Sequence, residues 1–154
     1  MKKNILVALL AGALLASCAM KHHRTTFDPT MPTVGYENGQ ISVSPDPLLF
    51  FPDKKNVEIV WRVPEGSALR FAEKGGIEID GVLTDKVIRG NRETPDSIVI
   101  DKTQDEIVDC KVKKQGLEFS CFNKHTKPGL YKYTIRLLDN GRALPPKDPT
   151  VMNM

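Results

Sequence analysis

Beyond residue 24 the 154-residue sequence has one histidine, His125, and the whole chain has one tryptophan, Trp61. No Gly-x-Ser-x-Gly, His-Glu-x-x-His or Cys-x-x-Cys occurs. A zinc-protease site and a Cys-x-x-Cys redox site therefore lack their motifs, and with His125 alone a Ser-His or Cys-His nucleophile is hard to assemble. Glu73-Lys74-Gly75-Gly76 lacks the spacing of a phosphate loop, and no helical pattern follows it. No apolar run after residue 18 approaches the length of a membrane-spanning helix. Carboxylates are not scarce, with 19 Asp and Glu, so a paired-carboxylate, glycan-active mechanism keeps its raw material.

What is present first is a leader. Met1-Lys2-Lys3-Asn4 is a short positive region, and residues 5–15 are an apolar run too short to span a bilayer comfortably. The run ends in Leu15-Ala16-Ser17-Cys18, which is similar to the bacterial lipobox. That resemblance covers residues 1–18 and implies three things: a diacylglyceryl thioether on Cys18, cleavage before it, and acylation of the new amino group. Each buried methylene contributes about 0.8 kcal/mol, and stable anchoring takes more than one chain, which a triacylated cysteine supplies. Ala19 stands where Asp would imply inner-membrane retention. The resemblance therefore implies an outer-membrane lipoprotein with its domain in the periplasm. Loss of Lys2 and Lys3 takes the formal charge from +3 to +1. That leaves no basic excess for a nucleic-acid partner.

The chain then divides into a signal peptide (1–17), a lipidated cysteine with a flexible tether (18–38) and a β domain with a Pro-rich tail (39–154). The tether has no apolar periodicity and carries Lys21-His22-His23-Arg24, Pro29 and Pro32. His22 and His23 are imidazole ligands in principle, but they read more simply as polar spacer. From Gly39 the apolar period becomes two. Ile41 and Val43 alternate with polar residues, and Pro45 and Pro47 interrupt the strand before Leu48-Leu49-Phe50-Phe51, as at a sheet edge. Val57, Ile59, Trp61 and Val63 share a face, with Trp61 as core filler. Ile77-Glu78-Ile79-Asp80 alternates again, residues 89–95 read as a loop, and Ile98 and Ile100 mark a further strand. Asp101, Asp105, Glu106 and Asp109 form the densest acidic group, without the central Gly and terminal Glu of an EF-hand calcium loop.

Residues 107–122 predict a hairpin around Lys113-Lys114-Gln115-Gly116. Pairing symmetric about Gln115-Gly116 sets Val112 opposite Phe119 and Cys110 opposite Cys121. Val108, Cys110 and Val112 then share an apolar face with Leu117, Phe119 and Cys121, and a one-residue slip would destroy that match. In an exported protein Cys110–Cys121 is expected to be a disulfide. Either a two-residue turn or a four-residue loop satisfies the pattern.

The stretch from Cys121 through His125 to Leu130 resembles the copper loop of cupredoxins, with Cys121 and His125 as equatorial ligands and Leu130 near the axial position. Blue copper needs a second histidine. None precedes His125 after Arg24, and Cys121 is already committed to Cys110. His125 is therefore read as an exposed loop residue. Gly129-Leu130-Tyr131-Lys132-Tyr133 resembles the corner of immunoglobulin-like sandwiches at which a tyrosine hydroxyl ties back to backbone. A final Pro-rich stretch, residues 144–149, reads as an extended tail.

Together these features predict an all-β fold, a single small antiparallel β-sandwich of immunoglobulin-like or cupredoxin-like kind. It should have seven to nine strands in two sheets. The expected core is Val57, Ile59, Trp61, Ile98, Ile100, Val108, Val112, Phe119, Tyr131, Tyr133 and Ile135. The expected function is that of an outer-membrane-anchored, non-catalytic binding or structural module. It contacts the bilayer through acylated Cys18 and an envelope protein through its edges or loops, with no cofactor. The alternatives are a periplasmic copper carrier and an envelope glycan-active enzyme.

Overall fold

Asn38 and Gly39 both take positive φ, 52° and 80°, so Glu37 and Gln40 face each other across a two-residue turn. Asn-Gly is the residue pair that favours this hairpin geometry. It joins β1 (Thr33–Glu37) to β2 (Gln40–Ser44). The structure is a computed structural model that describes residues 27–83 and 100–154. Cys18, His22, His23 and the expected core residue Ile98 lie outside the described residues.

The sheet therefore begins at Thr33, inside the stretch expected to be tether. Val34 is fully buried and Ile41 nearly so, which fixes the hairpin to the core. β1 then runs parallel to β4 (Val57–Arg62), which pairs with β9 (Glu118–Asn123), and β9 with β8 (Ile107–Lys113). These strands make one five-stranded sheet in the order β2-β1-β4-β9-β8.

The facing sheet has the order β3-β13-β10-β6-β7. Its strands are β3 (Leu48–Phe50), β6 (Ile77–Leu83), β7 (Ile100–Asp101), β10 (Gly129–Ile135) and β13 (Thr150–Asn153). Thr150–Asn153, beyond the Pro-rich stretch 144–149, is thus an interior strand between β3 and β10. It is led there by Lys147, which bridges to Ile135, and by the Pro149 carbonyl, which accepts from the Tyr133 N–H. A small third sheet, β12-β11-β5, comprises β5 (Leu69–Phe71), β11 (Leu137–Asp139) and β12 (Arg142–Ala143).

The fold is all-β, as the alternation implies, but the described residues are divided into thirteen strands, several of two or three residues. Two pairings, β1–β4 and β3–β13, are parallel. The two large sheets share one core. Trp61 from one donates its indole N–H to the Tyr133 hydroxyl of the other at 3.2 Å, with ring centroids 5.4 Å apart. Ile59, Trp61, Phe119, Tyr131, Tyr133 and Ile135 are buried as expected, and Val57 and Val112 pack against them half-buried. Val108 and Ile100 are only half-buried, and Ile107 is in the core instead.

A bulge explains the exchange of Ile107 for Val108. The ladder follows the expected register at Lys113–Glu118, Val112–Phe119 and Lys111–Ser120, then shifts by one to Val108–Phe122 and Ile107–Asn123. Asp109, at φ 54°, lies within the shift. One extra residue turns every later side chain to the opposite face. The loop is the four-residue kind, with Lys114–Gly116 forming a single 3₁₀ turn.

Candidate functional site

One end of the sandwich is closed by polar groups that the core has swallowed. β9 ends and β10 begins there, and the connecting residues 124–128 cross from one sheet to the other. Glu106, just before β8, is 2% exposed. Its carboxylate accepts from the Thr126 hydroxyl at 2.5 Å and from the backbone N–H groups of Thr126 at 2.6 Å and Lys127 at 3.1 Å. Burial pushes this carboxyl up. The three donors and the Lys127 ammonium outweigh burial and hold it below the usual carboxylate range. Glu106 therefore acts as a built-in anion that caps the crossing loop.

His125 sits in the same loop at φ 50° and is 3% exposed. Its Nδ1 lies 2.8 Å from the Lys54 carbonyl oxygen and its Nε2 lies 3.0 Å from that of Met154. Both ring nitrogens thus face backbone carbonyl oxygens. The ring ties the loop before β4 to the end of β13. Beneath it Asn123 and Asn153, both buried, exchange amide hydrogen bonds at 2.9 and 3.1 Å. The Tyr131 hydroxyl donates back to the Lys127 carbonyl at 3.3 Å, the tie expected at this corner. Burial first, then the Glu106 and Asp105 carboxylates, push the Tyr131 phenol up to about 12.

The expected exposed loop histidine is therefore a buried clamp. Cys121 is bonded to Cys110, with Cα atoms 4.1 Å apart. With both His125 nitrogens engaged, neither member of the expected Cys121–His125 pair is free to ligate copper. Leu130 is half-buried in β10. The acidic group is dispersed: Asp101 accepts from Thr103, Asp105 pairs with Lys127 at 2.8 Å, Glu106 caps the loop, and Asp109 sits at the bulge. Among the described residues no three His, Cys, Asp or Glu side chains are grouped to hold a metal ion. No protein-family model matches this chain, and no curated protein is similar to it.

The disulfide is lopsided, with Cys121 buried and Cys110 exposed on β8. Reduction, or replacement of both cysteines by serine, is expected to cost about 2.5–3 kcal/mol through loss of loop closure. Urea unfolding with and without reductant measures it directly.

At the opposite end the sequence had signalled a Pro-interrupted edge strand but no site. A cleft of about 350 Å³ runs beside β2, lined by Glu37, Asn38, Gln40, Ile41, Ser42, Val43, Asp46 and Lys147. β2 is the outermost strand of its sheet. Because the turn is two residues long, Glu37–Gln40 is a hydrogen-bonded pair, and the backbone groups of Ile41 and Val43 point away from β1. Among the described residues a strand edge without a further partner thus borders a cleft with Glu37, Asp46 and Lys147 at its margin. A small cleft of about 190 Å³ between Pro52, Lys55, His125, Thr126, Pro128 and Met154 belongs to the locked end.

Proposed function

We propose that this protein is a lipid-anchored, non-catalytic binding module of the cell envelope that takes an extended segment of a partner protein along the edge of β2. The observation that carries the reading is the cleft beside Gln40–Ser44, where no described strand pairs with the outer edge of β2 and the half-buried Val43 turns its N–H and C=O away from β1. Main-chain pairing gives such a contact its affinity, and the flanking side chains give it selectivity. Anchoring through Cys18 to the outer membrane rests on the lipobox resemblance. Such an anchor would keep the cleft in the envelope without occupying it.

The test is crosslinking in intact cells followed by detergent extraction and pull-down, comparing wild type, Cys18→Ser and Val43→Pro. Proline at position 43 removes a donor from the open edge and leaves the β1 ladder its own bonds. A stoichiometric partner held by wild type and lost, ~10-fold or more, in Val43→Pro with an unchanged melting temperature is the expected result. Equal recovery with Val43→Pro would remove β2 as the docking edge. Equal recovery with Cys18→Ser would make the anchor irrelevant to binding.

A further inference from the structure

The outer face of the β3-β13-β10-β6-β7 sheet carries an apolar row at the locked end. Leu49 lies opposite Met152, Met152 opposite Leu130, and Leu130 opposite Leu83. Residues paired directly across strands share a face. Their neighbours in sequence Leu48, Phe50, Val151 and Tyr131 point into the core, so this row points out. Phe51 and Met154 extend it beyond the strand ends, where the Met154 N–H donates to the Phe50 carbonyl. Leu49, Phe51 and Met154 are 38%, 57% and 41% exposed. Contiguous apolar surface of this kind marks a contact site.

The course of the N-terminal chain points to the occupant. The carbonyls of Thr30 and Pro32 accept from the N–H groups of Val60 and Arg62, so the chain enters alongside β4 and parallel to it. A turn closed by the Met31 N–H on the Asp28 carbonyl precedes this run, on the side of the Val57 end of β4, which is the end that carries His125, Phe51 and Met154. Asp28 agrees. Its carboxyl is held below the usual range by the Thr30 hydroxyl and N–H, and also by the Lys54 ammonium of the loop that follows Phe51. Phe27, the first described residue, is 63% exposed. It lies nine residues after Cys18, a span of about 30 Å at full extension. Lys54, whose N–H donates to the Phe51 carbonyl, and Lys55, which lines a cleft with Met154, border the patch, and Lys21 and Arg24 stand in the connecting sequence. These are cations suited to anionic headgroups.

We propose that Leu49, Phe51, Leu130, Met152 and Met154 form a membrane-docking face that seats the domain on the bilayer to which Cys18 is anchored. The proposal rests on the lipid-anchor reading and adds orientation to it. A short tether raises the local concentration of bilayer at this end. Leu49, Phe51 and the two methionines enter the headgroup boundary, and Lys54 and Lys55 meet phosphates. The Asn38-Gly39 turn and the β2 cleft lie beyond the Arg62 end of β4, so docking turns the cleft away from the membrane.

The test uses the full-length protein purified from membranes and reconstituted into vesicles of phosphatidylethanolamine and phosphatidylglycerol with brominated acyl chains. Phe51→Trp reports on the patch, and Glu65→Trp, in the exposed turn after β4, reports on the opposite end. Trp61 is fully buried and serves as the unquenched internal reference. Emission of the indole introduced at position 51 is expected to fall ~2-fold or more, with position 65 unaffected. Unchanged unfolding midpoints show that both variants are folded. An acylated, vesicle-bound protein quenched at neither position, or equally at both, overturns the docking face and leaves the anchor standing. Protection of position 51 from aqueous iodide without bromolipid quenching also overturns it, because a protein would then cover the patch. A native chain whose intact mass carries no acyl groups overturns the anchor reading itself.

Discussion

Replacing Trp61 with alanine is expected to remove about 3–5 kcal/mol of folding stability, the usual cost of emptying a large buried aromatic site. Domains of this kind hold about 5–15 kcal/mol in total, so the variant would be marginal at physiological temperature. The size follows from position. Trp61 is fully buried on β4 and reaches Tyr133 of the opposite sheet, so its loss empties the space between the two sheets rather than a margin. Trp61→Phe separates the two parts of the effect. It restores most of the volume but leaves the buried Tyr133 hydroxyl without its indole donor, at about 1–3 kcal/mol. Urea denaturation gives both values. A loss under 1 kcal/mol for alanine would mean that the two sheets are not joined through this pair.

The second large effect lies at the locked end. Glu106→Ala strips three donors of their acceptor and is expected to cost about 2–4 kcal/mol, because hydrogen bonds to a charged group are the costly ones to leave unmade. Glu106→Gln keeps the shape and removes the charge, and it should also change the pH profile. The folded-state value of Glu106 lies below its ordinary 4.5. Its contribution is therefore complete above the unfolded-state value and is lost as pH falls through the lower folded value. The stability difference between wild type and Glu106→Gln should be constant near neutrality and shrink in that acid window. Other carboxylates, among them Asp105 and Asp148, titrate in the same direction. The difference between the two proteins isolates position 106. A difference that grows on acidification would contradict the buried anion.

The Cys110–Cys121 pairing was legible because alternation, a turn glycine and two cysteines all demanded one register, and that register holds up to the bulge. The bulge itself was not, since Asp109 at positive φ has no signature in an otherwise alternating strand. Its consequence, Ile107 inside and Val108 half out, could not be counted from the hairpin turn. Asn38-Gly39 was a readable signal for β1–β2, obscured by the two prolines that made the preceding segment resemble a spacer. His125 and Glu106 were misplaced for a shared reason. A buried polar side chain in a loop is permitted only by specific donors and acceptors, and those come from Lys54, Thr126, Lys127 and Met154, as far as 71 residues away in sequence. Polarity alone places such residues outside. The β2 cleft depends on Asp46 and Lys147 meeting across the fold, which no local pattern encodes.

The proposed anchoring of the domain at a membrane through Cys18 is tested most directly by the intact mass of the native protein. Detergent-extracted protein should begin at Cys18 and carry the added mass of a diacylglyceryl group and one further acyl chain. The Cys18→Ser chain should lack both additions. A native protein that begins elsewhere, or begins at Cys18 without acyl groups, would contradict it.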